Sequence, residues 1–255
     1  MKKLNVICCK DHDHLGRVTA ELLAEEIRRN PNLVLGLPTG QTPIPVYQHL
    51  RRIYDEGNLD CSGVTTVNLD EYLLRGEGDP DSYITFMQEN LFNHIPFKAS
   101  YLPNAKPENY EQMSETELTS ALNNNCSDYD AILEELGVDI QVLGLGTNTH
   151  VAFNEPSDKW TEGTYITDLT AQTLSDNADK FYDGDINAVP KKALSMGMKQ
   201  IMKAKSIILI ANGDAKAEAV SRSLYGEVSP QIPASLLRKH ENVTFIIDEA
   251  AAKLL

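Results

Sequence analysis

Residues 144–156 read GLGTNTHVAFNEP, a short loop behind the apolar run DIQVLGLG, and carry His150 and Glu155 close together. An imidazole supplies an acid/base group near neutral pH, and a nearby carboxylate can orient and charge it. Two further segments share this form of an apolar run ending in a polar or glycine-bearing turn: LGLPTGQTP (35–43) and VNLDEY (67–72). Open α/β sheets keep their chemistry where strands end in such turns.

Each turn suggests a task. In LGLPTGQTP, Gly40 permits a backbone turn that a Cβ resists, and the helix after Pro43 starts with free N–H groups. With the Thr39 and Thr42 hydroxyls this suits a phosphate, although the glycine spacing is that of neither a P-loop nor GxGxxG. In VNLDEY, Asp70 and Glu71 point to opposite faces if the strand continues, so one of the two carboxylates is a general-base candidate and the other is not. Lys216 follows the strand SIILIAN and the turn GDA and can reach a phosphate across the sheet end, while Lys180 lies in the polar stretch DKFYDGD. One histidine with scattered carboxylates does not make a metal-ligand set, and no GxSxG elbow marks a serine hydrolase. The DHDH run (11–14) reads as a solvated helix start, and Phe86, Phe92 and Phe153 read as core.

These turns need a frame. Strands are expected at Leu4–Cys9, Leu33–Leu37, Val64–Leu69, Asp139–Leu145, Ser206–Ala211 and Val243–Asp248, with weaker ones at Tyr101–Pro103 and Thr164–Leu169. Helical periodicity covers Asp11–Arg29, Ile44–Glu56, Asp81–His94 (capped by Asp79 or Asp81), Pro190–Lys203, Ala215–Leu224 and Ile232–His240. Ser114 and Glu117 are spaced as a capping box for a helix to Leu136, with a break near Asn123–Cys126 where NNNCSDYD interrupts the apolar period. Residues 157–188 are polar and weakly periodic, as lids are. The alternation predicts one α/β domain over 1–255: a mostly parallel, modified Rossmann-like sheet with helices on both faces and a lid segment.

The formal net charge of −14 argues against nucleic acid and anionic membranes as partners, since both reward clustered Lys and Arg. The N-terminal segment lacks the pattern of a signal peptide and no run reaches the ~20 apolar residues of a membrane span, so a cytoplasmic location is expected. Cys8 and Cys9 fall on opposite strand faces, Cys61 and Cys126 are isolated, and all four are expected as buried, reduced thiols.

Taken together and in order, LGLPTGQTP, VNLDEY with DSYITFM, LGLGTNTHVAFNEP, DKFYDGDINAVPKKALSMGM and GDAKAEAV resemble the glucosamine-6-phosphate deaminase/isomerase family, which is related to the 6-phosphogluconolactonases. The resemblance spans nearly the whole chain. It implies conversion of an amino sugar phosphate to a ketose phosphate with release of ammonia, without metal or organic cofactor. It implies Asp70 as the base between C2 and C1, His150 as the ring-opening group and Glu155 as its orienting carboxylate. Thr39, Gly40, Gln41, Thr42 and Lys216 would hold the phosphate. Lys180 stands where the family has a lid arginine, and Asn148-Thr149 where many members have Asp-Gly. Asn148 therefore joins the catalytic candidates without a carboxylate's charge, and Thr149 brings a β-branched side chain to a glycine position. Basic residues of the kind that bind an activator in allosteric members are absent at Tyr165 and Thr167. A phosphosugar is the expected partner, the chain a monomer or small homo-oligomer. Glucosamine-6-phosphate is the leading substrate, with galactosamine-6-phosphate, a non-catalytic phosphosugar sensor and a lactonase as alternatives.

Overall fold

The computed structural model describes residues 3–255, without the side chains of Lys3, Lys180 and Phe181. The strands are β1 (Lys3–Cys9), β2 (Val34–Leu37), β3 (Thr65–Asn68), β4 (Asp70–Tyr72), β5 (Ala99–Tyr101), β6 (Ile140–Gly144), β7 (Tyr165–Asp168), β8 (Lys192–Ser195), β9 (Ser206–Ala211) and β10 (Asn242–Asp248). The α-helices are α1 (His12–Arg29), α2 (Ile44–Asp55), α3 (Tyr83–Met87), α4 (Glu115–Leu136), α5 (Ala171–Phe181), α6 (Met198–Ile201) and α7 (Ala217–Tyr225).

Seven strands form a parallel sheet in the order β1-β10-β9-β6-β2-β3-β5. Both faces of the central strands are apolar and covered, which is why those strands read as hydrophobic runs, whereas the edge strand β1 leaves Leu4 and Val6 exposed. Leu35, Val142, Ile210 and Ile246 pack under Leu15 and Leu23 of α1 and Val46 and Leu50 of α2. Val67, Leu143, Leu209 and Phe245 pack under Tyr129 and Leu133 of α4 and Val220 and Leu224 of α7. From β2 the chain proceeds outward through β3 to β5, then returns to lay β6 against the other side of β2. The strand order thus reverses between β2 and β6, and the crevice at such a reversal is where open α/β sheets bind ligands.

Several local expectations change. Pro190–Lys203 is not one helix. Lys192–Ser195 is the middle strand of a separate antiparallel sheet, β4-β8-β7, and only Met198–Ile201 is α-helical. Ala193, Leu194 and Ser195 are all fully buried, so this short segment has neither the period-2 alternation of a half-exposed strand nor enough length to declare itself. The α4 helix runs unbroken through NNNCSDYD because Leu122, Cys126, Tyr129 and Leu133 keep one face in the core, and its capping box is formed. Ser82, rather than Asp79 or Asp81, caps α3, which passes into a π-helical turn over Gln88–Phe92. The stretch 157–188 holds β7 and α5. Cys8 is exposed on the edge strand β1, while Cys9, Cys61 and Cys126 are buried. The DHDH run is more than a solvated start: Asp11 caps α1, Asp13 meets His49 of α2, and His12 Nε2 lies 3.0 Å from the Thr42 carbonyl.

Candidate active site

The turns that follow β2, β3, β6 and β9 converge on one cavity of about 560 Å³. Thr39, Gly40, Gln41, Thr42, Asp70, His150 and Lys216 all line it.

Asp70 stands where the chain leaves the large sheet, whose strand β3 ends at Asn68, and begins the small one. It is 7% exposed, and among the described residues none donates a hydrogen bond to its carboxylate. Burial, then the charge of Glu71, raises its pKa to about 8. A carboxyl group with that affinity for protons, facing a cavity, is suited to take a proton and return it. Glu71 points away, as strand alternation requires. Its carboxylate accepts the backbone N–H groups of Tyr72 (2.8 Å), Tyr83 (2.8 Å) and Ile84 (3.0 Å), so it serves the start of α3. Burial raises its pKa to about 7 against the lowering effect of those three donors.

Residues 146–154 make two successive turns. Gly146 N–H donates to the His150 carbonyl (2.8 Å), Thr149 N–H to Gly146 (3.0 Å), and Asn154 N–H to Val151 (3.1 Å). The Asn154 amide donates to the carbonyls of Val151 (3.0 Å) and Met196 (2.8 Å), which pins the loop to β8's end. Within it, Asn148 sits between His150 and Glu155. Asn148 Nδ2 is 2.6 Å from Glu155 Oε2, and Asn148 Oδ1 is 2.7 Å from His150 Nδ1. A carboxylate only accepts, so the amide presents its NH₂ to Glu155. Its oxygen then faces the imidazole and also only accepts, so Nδ1 carries the hydrogen. The neutral ring therefore has its lone pair on Nε2. Burial opposes ionisation of Glu155, but the hydrogen bond and charge of His150, with the bonds from Thr173 and Asn148, lower its pKa to about 2.

Another side of the cavity is built from two loops. Gly40 has φ +101°, and α2 begins at Ile44 directly behind the turn. Thr42 Oγ1 donates to Asn212 Oδ1 (2.7 Å), which joins this turn to the loop after β9. Gly213 N–H in that loop is held by the Asp248 carboxylate (2.9 Å), and Ala215 and Lys216 face the cavity. Lys180 belongs to α5, but its side chain lies outside the described residues. Among the described residues no group of histidines, cysteines and carboxylates is arranged to hold a metal ion.

Residues 12–246 match the family model for glucosamine-6-phosphate isomerases/6-phosphogluconolactonase. The chain belongs to this family. A glucosamine-6-phosphate deaminase of Clostridium perfringens is 44% identical over 99% of this chain and 100% of its own length. One from Clostridioides difficile is 40% identical over 99% of this chain and 97% of its length. A solved structure of a monomeric glucosamine-6-phosphate deaminase superposes with TM-score 0.89 at 38% identity, covering 98% of this chain and 100% of that one. The 6-phosphogluconolactonase of Trypanosoma brucei, at TM-score 0.77 and 20% identity, shares the fold.

Helix α5 also supplies residues that sequence reading missed. Thr173, Asp176 and Asn177 lie on one face of α5 and line the cavity. Their i, i+3, i+4 spacing was a legible signal, hidden because all three are polar. Phe86 and Phe153 pack in hydrophobic clusters as expected and also line the cavity, and Phe153 lies against Tyr72 with ring centroids 5.7 Å apart. Phe92 packs edge-on to Phe97.

Thr149 holds the turn with φ +76°, is fully buried, and its hydroxyl has no partner among the described residues. Positive φ at a β-branched residue costs roughly 1–3 kcal/mol, and a buried unpaired hydroxyl costs about as much. Glycine relieves both and gives back about 1–2 kcal/mol through chain entropy and one lost methyl. Thr149→Gly is therefore expected to be stabilising, with Tm rising by about 2–4 °C in thermal unfolding. A lower Tm would show that the threonine methyl supports the loop.

Proposed function

We propose that this chain converts glucosamine-6-phosphate and water to fructose-6-phosphate and ammonia, as a single-domain, monomeric, cytoplasmic enzyme without a metal or organic cofactor. One observation carries the reading: a buried carboxylate without a hydrogen-bond donor among the described residues, a histidine of defined tautomer and a candidate anion cradle share one cavity. The names of relatives at 40–44% identity over nearly the full chain support it. Among the described residues no helix is long and apolar enough to cross a membrane.

The roles follow from position. The turn Thr39–Thr42 and Lys216 hold the phosphate, which fixes the reacting carbons at the other end of the sugar. His150, with Nε2 free, takes the proton from the C1 hydroxyl and delivers it to the ring oxygen, opening the ring. Asp70, as carboxylate, removes the C2 proton and returns it to C1. The nitrogen lone pair of the enolamine drives that return to C1 and forms the iminium while O1 takes a proton from solvent. Water then adds to C2, one of its protons passes to the amino nitrogen, and ammonia leaves with the C2–N bonding pair as the second proton returns to solvent and the C2 carbonyl forms. Asn148 and Glu155 hold the imidazole and stabilise its charged form.

The test is ammonia release from glucosamine-6-phosphate beside galactosamine-6-phosphate and 6-phosphogluconolactone. Ammonia from the first substrate is expected. Acid release from the lactone without ammonia, or phosphosugar binding without turnover, overturns the reading. Lys216→Ala is expected to raise KM about tenfold with kcat within about threefold, because phosphate binding serves ground and transition states alike. An unchanged KM would remove this lysine from the phosphate site.

A further inference from the structure

The hydrogen bonds around His150 do not end at Glu155. Glu155 Oε2 accepts from Asn148, and its other oxygen, Oε1, accepts from the hydroxyl of Thr173 on α5. Thr173 Oγ1 in turn lies 3.2 Å from the hydroxyl of Thr170, the residue that caps α5 through the Thr173 N–H (3.3 Å). With its hydrogen directed to Glu155, Thr173 accepts the hydrogen of Thr170. An ordered line of bonds thus runs from the first turn of α5 through Thr173, Glu155 and Asn148 to His150 Nδ1. Thr173 is 2% exposed, so water does not compete for the bond. The same helix face makes two further bonds across the cavity wall. Asp176 accepts from Thr147 Oγ1 (2.8 Å), and Asn177 Nδ2 donates to the Tyr72 hydroxyl (2.8 Å). When α5 sits in place, Glu155 is therefore fixed at both oxygens.

We propose that Thr173 is a positioning residue that ties the seating of α5 over the cavity to the orientation of the Glu155–Asn148–His150 relay. Without its hydroxyl, Glu155 keeps one fixed oxygen, and its carboxylate can turn about that bond. Asn148 Nδ2 then follows a turning carboxylate, its oxygen faces Nδ1 less firmly, and Glu155 Oε2, itself 3.4 Å from Nδ1, loses its fixed place, so the His150 ring is held less strictly to one tautomer. Thr173 touches neither the reacting carbons nor the anion cradle in this scheme, so binding is spared.

The role in turnover rests on the deaminase reading, so the test has two arms. In the kinetic arm, Thr173→Val keeps the side-chain shape and removes the hydroxyl. It should lower kcat about tenfold with KM within about twofold, and Thr173→Ser should restore kcat to within about twofold of wild type, as loss and return of one hydrogen bond to a charged group predict. In the second arm, the ring ¹⁵N signals of His150 are read without substrate. Wild type and Thr173→Ser should show the Nδ1–H tautomer, and Thr173→Val or Thr173→Ala a mixture. If Val and wild type agree in kcat and in ring signals, or if Ser fails as Val does, the proposal is wrong. If wild type releases no ammonia, the deaminase reading fails, and the ring signals alone decide whether Thr173 positions the relay.

Discussion

Asp70→Asn removes ~10³–10⁴ from kcat and leaves KM nearly unchanged, the expected result for a group that moves a proton in the transition state and does not anchor the substrate. The asparagine keeps the shape of a residue that is almost wholly buried. The same variant should be more stable than wild type. The Asp70 carboxyl has its pKa raised to about 8 in the folded protein, whereas in the unfolded chain it lies near ~4. Between those values the folded protein keeps a proton that the unfolded chain has lost. Wild-type stability therefore falls as pH rises through this window and levels off above it. An amide cannot ionise, so the Tm advantage of Asp70→Asn should be small near pH 4, grow toward pH 8 and stay constant beyond. Wild-type kcat/KM should rise over the upper part of the same window as the carboxylate forms. Thermal unfolding and initial rates at pH 5, 7 and 9 check both signs. An active variant would take the base role away from Asp70, and an advantage that shrinks with pH would mean that the buried carboxylate is better solvated than its surroundings imply.

The second large effect is expected from a residue with no side chain. A Cβ on Gly146 would lie 2.3 Å from both Cε1 and Nδ1 of the His150 ring and 2.5 Å from Nε2. No real contact is that short, so the ring or the backbone must move, and the ring is held through Nδ1 alone, 2.7 Å from Asn148 Oδ1 and 3.4 Å from Glu155 Oε2. Gly146→Ala should therefore swing the imidazole off the relay and cost about 10²–10³ in kcat, the scale of losing one acid/base group. The proposed anion cradle lies on the β2 and β9 loops, so KM should stay within about threefold. A crystal structure of the variant with His150 still 2.7 Å from Asn148 would show that the backbone gives way instead.

How much of this was readable from residue types alone varies with the element. The Thr39–Thr42 turn, Asp70 and the His150 loop were legible because parallel strands buried on both faces give plain hydrophobic runs, and a polar break in such a run marks the strand's end. Residue types alone did not separate Asp70 from Glu71; the family resemblance singled out Asp70, and the coordinates place Asp70 and not Glu71 on the cavity. Strand β8 was not legible. Leu194, Met198 and Ile201 imitate a helical stripe, and the pairing of β8 with β4 joins segments over a hundred residues apart in the chain. Thr173 was missed for a related reason. Its partner Glu155 lies on another element, and a polar helix face of threonine, aspartate and asparagine reads as solvent-facing until something is seen to lie against it. Conversely, the concern raised by Thr149 was sound in its physics: a positive φ is required there, and the chain adopts it with a β-branched residue.

The passage of the chain from one sheet to the other at Asp70 has a consequence for selectivity. The proposed proton-moving group rides on the small antiparallel ribbon, whereas the loops proposed to grip the phosphate are rooted in the large sheet. The span between them works as a ruler set by the joint between two rigid plates, not by any one side chain. A sugar phosphate one carbon shorter or longer would sit in the same grip with the wrong carbon under Asp70. Discrimination by backbone length should then resist single substitutions in the cavity wall and yield to changes that slide β4 along β8.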